Sequence, residues 1–155
     1  MAHTLTSVLI HAIFSTTNRQ PSLKPEVRER LFPYMGGIIR DMKGTALLIN
    51  GIEDHVHVLT SLPATVALSD LMKELKGISS GWANDTLELP DRFGWQVGYA
   101  AFSVSKSLSE TVRNYIARQE KHHRRMTFQE EYLEFLRRHE VEYDPRFVFD
   151  EEIVG

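Results

Sequence analysis

Two short patterns in this sequence carry residue types that do chemistry. The first is His55-Val56-His57 and the second, well downstream, is Tyr115-Ile116-Ala117-Arg118-Gln119. Side chains alternate along an extended strand, so His55 and His57 leave one face together and can hold a divalent cation between them. Residues four apart share a helix face, which sets Tyr115 and Gln119 side by side. Together the patterns describe a metal site facing a tyrosine nucleophile. Singly, each has a plainer reading: two strand histidines satisfied by hydrogen bonds, and a helix that happens to carry a tyrosine.

The elements that must position these residues follow from periodicity. Val8, Ile10, Ala12 and Phe14 alternate, which predicts a strand over residues 5–14. Val27, Leu31, Tyr34, Met35, Ile38 and Met42 recur at helical spacing, with Pro25 in the first turn and Gly44 closing the element. A short apolar run at 45–50, turn residues at 51–54 and a strand at 55–61 predict a hairpin with both histidines on its second strand. Leu68, Leu71, Met72, Leu75, Ile78 and Trp82 mark a second helix that leaves Lys73 and Lys76 on other faces.

A strand near 97–104 comes next, then a helix near 108–122 with Ser107 and Glu110 as a capping box and Leu108, Val112 and Ile116 as its apolar stripe. Tyr115 and Gln119 lie roughly 100° round from Ile116. Thr127 and Glu130 form a second box, opening a last helix and tail near 127–155 whose apolar side is Phe128, Tyr132, Phe135 and Leu136. The order βαββαβ predicts an α+β, ferredoxin-like antiparallel sheet covered by helices, with additional C-terminal helices, in one domain over 1–155.

Hydrophobic content of 42% and charged content of 25% are ordinary for a soluble globular protein. The absence of cysteine rules out disulfide and thiolate chemistry and agrees with a cytoplasmic location. The apolar run Val8-Leu9-Ile10 is far short of a membrane span. A net charge of −3 argues against coating nucleic acid through bulk electrostatics. It leaves room for a local basic groove, for which Lys73, Lys76, Lys121, Arg124 and Arg125 are candidates beside the simpler reading of solvated helix faces.

The chain also resembles a known family, the single-tyrosine HUH transposases of the insertion-sequence-200-like type, which include REP-associated tyrosine transposases. The resemblance runs through residues 51–59, which hold both histidines, through Trp95-Gln96-Val97-Gly98-Tyr99 and through Ala101-Phe102-Ser103-Val104-Ser105. It continues through Tyr115-Ile116, Gln119 and His122-His123 to Phe128-Gln129-Glu130-Glu131, and so covers nearly the whole chain.

The resemblance implies that His55, His57 and Gln119 bind Mg²⁺ or Mn²⁺ while Tyr115 attacks a phosphodiester of single-stranded DNA at ends that fold into hairpins. The products would be a 5′-phosphotyrosine and a free 3′-OH able to reverse the step with another DNA end. It further implies a homodimer in which one protomer's tyrosine helix can complete its partner's site. Two other functions fit the same residues: a host-adapted protein that nicks and rejoins repeated palindromes, and a noncatalytic module that binds single-stranded nucleic acid. His11 is expected as a hydrogen-bonded sheet histidine rather than a ligand, and Asp54 as a turn residue able to orient a histidine. His122 and His123 fall at a helix end, where dipole complementarity competes with phosphate contact. Trp95, Tyr99 and Phe102 could stack on unpaired bases but have the spacing of core residues.

Overall fold

The computed structural model describes residues 3–149. The end of the expected tail, 150–155, lies outside the described residues. Strands β1 (Leu9–Ser15), β2 (Ala46–Ile52), β3 (His55–Ser61) and β4 (Ala100–Val104) form one antiparallel sheet in the order β2-β3-β1-β4. Helix α1 (Pro25–Asp41) joins β1 to β2, and α2 (Leu68–Thr86) joins β3 to β4. The result is the βαββαβ order and strand arrangement of a ferredoxin-like sheet. Three further helices follow: α3 (Ser109–Ala117), the short α4 (Gln119–His122) and α5 (Phe128–Arg138).

Central strand β1 is buried along its whole length. Its two faces feed different cores. Ala12 and Phe14 pack with Val56 and Val58 against Leu31, Met35 and Ile39 of α1 and Leu71, Met72 and Leu75 of α2. Ile13 points the other way, into a second core with Ala100, Phe102 and the α5 residues Phe128, Tyr132 and Leu136. Burying each large apolar side chain contributes about 1.5–3 kcal/mol, so these cores fix where α5 docks.

The register then decides which face carries chemistry. Ile13 lies opposite His57, Ser15 opposite His55 and His11 opposite Leu59, while Asn50 lies opposite His57 on the other side of β3. Directly opposed residues in an antiparallel pair share a face, so His11, Asn50, His55 and His57 all project toward the C-terminal helices. The hairpin that presents them is close-fitting. A Cβ at Gly51 would lie 2.1 Å from the carbonyl oxygen of His55, so that position takes no side chain.

Several expected boundaries move for identifiable reasons. The first strand starts at Leu9, not near residue 5, because β3 and β4 supply partners only from Leu9 onward, and Val8 is exposed. β4 starts at Ala100 because Gly98 turns the chain with φ 89° and Trp95 makes only an isolated bridge to Thr16. β2 runs on to Ile52, leaving Glu53 and Asp54 to turn. The third helix is not continuous: Arg118, at φ −105° and ψ 29°, separates α3 from α4. Ser107 does not cap it either, since its hydroxyl meets that of Ser105, a 3-10 turn spans Lys106–Leu108, and Leu108 is 55% exposed rather than core.

The second box does form. Thr127 Oγ1 accepts from the Glu130 amide at 3.1 Å, and Glu130 Oε1 accepts from the Thr127 amide at 3.0 Å. Among the described residues, no helix is long and apolar enough to cross a membrane. Replacing Thr127 with Ala leaves one orphan amide at the start of α5 and should lower stability by about 1 kcal/mol. Urea unfolding would show this as a lower midpoint at unchanged slope; an unaltered midpoint would mean the box does not hold α5.

Candidate metal centre and nucleophile

β3 delivers His55 and His57 into a fully buried pocket between the sheet and the C-terminal helices. Each ring is tied on its outer nitrogen. His55 Nδ1 meets Asp54 Oδ1 at 2.7 Å, and His57 Nδ1 meets His11 Nε2 at 2.8 Å. His123, just past α4, follows the same plan with Nδ1 on the Met126 carbonyl at 2.8 Å. The three Nε2 atoms are thereby turned inward, toward a single carboxylate oxygen. Glu131 Oε1 lies 3.3 Å from that of His55, 2.9 Å from that of His57 and 3.0 Å from that of His123. One ligand atom from each of these four residues lies within 4.8 Å of the others.

The candidate nucleophile, Tyr115, reaches the other oxygen of the same carboxylate. Tyr115 donates its hydroxyl to Glu131 Oε2, and Gln119 Nε2 donates to that atom at 3.3 Å. Gln119 Oε1 sits 2.9 Å from His55 Nε2, among the inward imidazoles. Asn50 Nδ2 donates to the Ile116 carbonyl at 2.9 Å, which fastens the end of α3 to β2 just before the break at Arg118. Glu131 stands in the first turn of α5, where the positive end of the helix dipole favours a carboxylate.

Electrostatics follow from burial and this pairing. Burial works to raise the Glu131 carboxyl, but hydrogen bonds from His123, His55 and His57 outweigh it and hold the group well below the ordinary carboxylate range. Burial works to lower His55, yet hydrogen bonds with Asp54 and Glu131 push it up to about 9. For His57, desolvation wins over Glu131 and the ring stays below its ordinary value. Burial, then the neighbouring His57, presses His11 well down. Burial and the adjoining charge of Glu131 raise the Tyr115 phenol.

This donor set fits a divalent cation. Three imidazole nitrogens, a carboxylate oxygen and an amide oxygen converge from buried side chains, and each imidazole has its far nitrogen tethered in the manner of a ligating histidine.

All four residues first singled out, His55, His57, Tyr115 and Gln119, come together here within one chain, so no partner helix is needed to bring the tyrosine beside the histidines. His11 is the sheet histidine expected, and Asp54 both turns the hairpin and orients His55. His123 belongs to the cluster rather than only to a helix end, and Glu131, its centre, was read as no more than a helix start. Its sequence signal is an acid three residues after Phe128 and four before Phe135, on the apolar side of α5.

The basic candidates divide. Lys121, Arg124 and Arg125 line a cleft of about 550 Å³ with Arg118, His122 and Met126, beside the cluster. Lys73 and Lys76 do not join them, because α2 covers the opposite face of the sheet. Lys76 there donates to the Gly98 carbonyl and lies 5.5 Å from the Phe14 ring and 5.9 Å from that of Tyr99. Trp95 and Phe102 are buried in the two cores and Tyr99 packs against the first, which accounts for these rings without bases.

Comparison with known proteins agrees with this arrangement. The sequence profile of the family described as IS200-like transposases matches residues 4–119. A Deinococcus radiodurans protein assigned as a transposase shares the fold with a TM-score of 0.62 and 22% identity, covering 77% of this chain and 95% of its own. A REP-associated tyrosine transposase bound to a REP hairpin is similar with a TM-score of 0.53 and 14% identity, covering 77% of this chain and 68% of its own. No curated protein matches the sequence. The profile match spans most of the chain, from before β1 through Gln119, and the chain belongs to the IS200-like transposase family.

Proposed function

We propose that this protein is a metal-dependent transposase that cleaves and rejoins single-stranded DNA through a 5′-phosphotyrosine on Tyr115. The observation that carries this reading is the meeting of the Tyr115 hydroxyl, Gln119 and the inward histidines at one buried carboxylate. Tyr115 Oη loses its proton to solvent and forms a bond to the scissile phosphorus as the bond from phosphorus to the 3′ oxygen breaks, and that oxygen leaves as a 3′-OH after taking one proton in exchange. The reverse attack by a 3′-OH on the phosphotyrosine frees the phenol and joins the strands. No nucleotide is consumed, since the bond energy is kept in the ester.

His55, His57 and Gln119 would hold the cation, with His123 and Glu131 completing the set. Once bound, it supplies neutralisation, both of the scissile phosphate and of the Glu131 charge that raises the Tyr115 phenol. Of the two ions expected, Mn²⁺ suits three imidazoles better than Mg²⁺, which favours oxygen ligands and its own water. Arg118, Lys121, Arg124 and Arg125 give the DNA backbone a track to the nucleophile. Hairpin-bearing ends are supported by the REP hairpin held by the second structural relative. The reading places the protein in the cytoplasm, as a homodimer on DNA with each site assembled in cis.

Three outcomes test it. Labelled single-stranded DNA from the flanks of the gene, incubated with Mn²⁺ and analysed by mass spectrometry, should give an adduct on Tyr115 that Tyr115→Phe abolishes; undiminished cleavage by that variant would overturn the mechanism.

Mn²⁺ binding, followed by electron paramagnetic resonance and calorimetry, should be at least about tenfold tighter than Mg²⁺ binding and be lost in His57→Ala. Asp54→Ala, which removes only the outer partner of His55, should weaken it by about tenfold or more.

Mixing Tyr115→Phe with His57→Ala protein should restore no cleavage, because nucleophile and histidines already meet within one chain. Rescue would show that the tyrosine helices are exchanged between protomers.

A further inference from the structure

The metal cluster accounts for the Tyr115 hydroxyl but not for its ring. A cleft of about 410 Å³ opens there, walled by Thr111, Val112, Tyr115, His122 and Phe135 and reaching Glu131 of the cluster. The His122 ring stacks on that of Tyr115 at 4.4 Å with planes 27° apart, and Phe135 meets the same ring edge-on at 5.5 Å. Largely apolar walls around a gap of this size suit a flat ligand with little charge. Contact between a nucleobase and aromatic side chains is favourable whatever the identity of the base.

A second observation points the same way. His122 Nε2 is the one buried side-chain nitrogen or oxygen among the described residues that has no hydrogen-bond partner. Leaving such an atom unsatisfied costs about 1–3 kcal/mol, which a ligand bearing hydrogen-bonding groups would recover. His122 has no part in the metal cluster, where its neighbour His123 serves. An apolar amino acid side chain or a lipid tail would fill the walls and leave this nitrogen orphaned, whereas the edge of a base satisfies both.

Resting on the phosphotyrosine reading above, we propose that this cleft receives one unpaired base of the DNA strand, that of a nucleotide flanking the phosphate attacked by Tyr115. His122 Nε2 hydrogen-bonds the edge of that base while Val112, Tyr115 and Phe135 wall the cleft around it. The base then acts as a positioning handle. Holding it sets the adjoining phosphate beside the Tyr115 hydroxyl, which is the kind of alignment that in-line attack requires.

The test is an abasic scan. Single-stranded DNA from the gene's flanks is made as a set of oligonucleotides, each with one base removed, and binding is measured on Tyr115→Phe protein, which keeps the ring and does not cleave. One position should show a loss of about tenfold. That loss should vanish in two further variants, His122→Ala, which removes the polar atom, and Val112→Trp, which fills the cleft. Both should keep their Mn²⁺ affinity, showing that the fold and the cluster survive.

A scan with no sensitive position, or a sensitive position unchanged in both variants, overturns the proposal. Adduct formation on Tyr115 in the unmodified protein is read separately. An adduct without a His122-dependent position leaves the mechanism standing and removes the base site, and loss of DNA binding altogether removes both.

Discussion

Everything in the site depends on one buried carboxylate oxygen that faces three imidazoles. Burying a lone carboxylate costs on the order of several kcal/mol, so Glu131 is tolerable only where positive or hydrogen-bonding groups meet it at close range. The fold supplies the imidazoles from two separate segments, β3 and the residue just past α4, and brings the carboxylate to them on the first turn of α5. This makes the docking of α5 critical. A slip of one residue would turn that helix by roughly 100° and carry the carboxylate out of reach. Phe128, Tyr132 and Leu136 in the second core, together with the Thr127–Glu130 box, oppose such a slip. Phe128 also lies 4.9 Å from the ring of His55, so the packing that seats the helix touches one of the candidate ligands.

What could be read from the sequence was what depends on short-range geometry. Period-two alternation puts His55 and His57 on one face whatever surrounds them, and the turn at Glu53 and Asp54 places them on the second strand of a hairpin. The periodic stripes of α1 and α2 were legible for the same reason. The break between α3 and α4 was not. Arg118 is an ordinary helix residue, with neither glycine nor proline beside it. Its conformation follows from long-range contacts: Asn50 holds the Ile116 carbonyl, while Gln119 turns into the pocket toward His55. The start of β1 was hidden in the same way, because a strand ends where its partners do.

Glu131 went unrecognised because two local rules explain it away. An acid in the first turn of a helix complements the dipole, and it directly follows Glu130, which completes a capping box. Only its position between Phe128 and Phe135 on a buried stripe contradicts the surface reading. His123 gave still less, since a pair of histidines at a helix end has an adequate electrostatic account. Both residues also lie beyond the segment matched by the family profile, which stops at Gln119. The histidine pair, the tyrosine and the glutamine therefore belong to the shared part of the chain, and the last two candidate ligands come from the helices that follow it.

The outer partners of the three imidazoles differ, and that difference grades them. His55 leans on the Asp54 carboxylate and, against its burial, is pushed up to about 9 with the help of Glu131, whereas His57 leans on the His11 ring and its burial keeps it below its ordinary value. His123 leans on a backbone carbonyl. A carboxylate behind a histidine makes it the stronger donor, so His55 is the strongest candidate ligand of the set. Its partner comes from the two-residue turn that closes the hairpin, and Asp54 also accepts the Thr16 amide through its own carbonyl at 2.9 Å. The backbone contact that ties β1 to the turn, the glycine that lets β2 approach β3, and the basicity of the His55 ring are consequences of the same hairpin geometry.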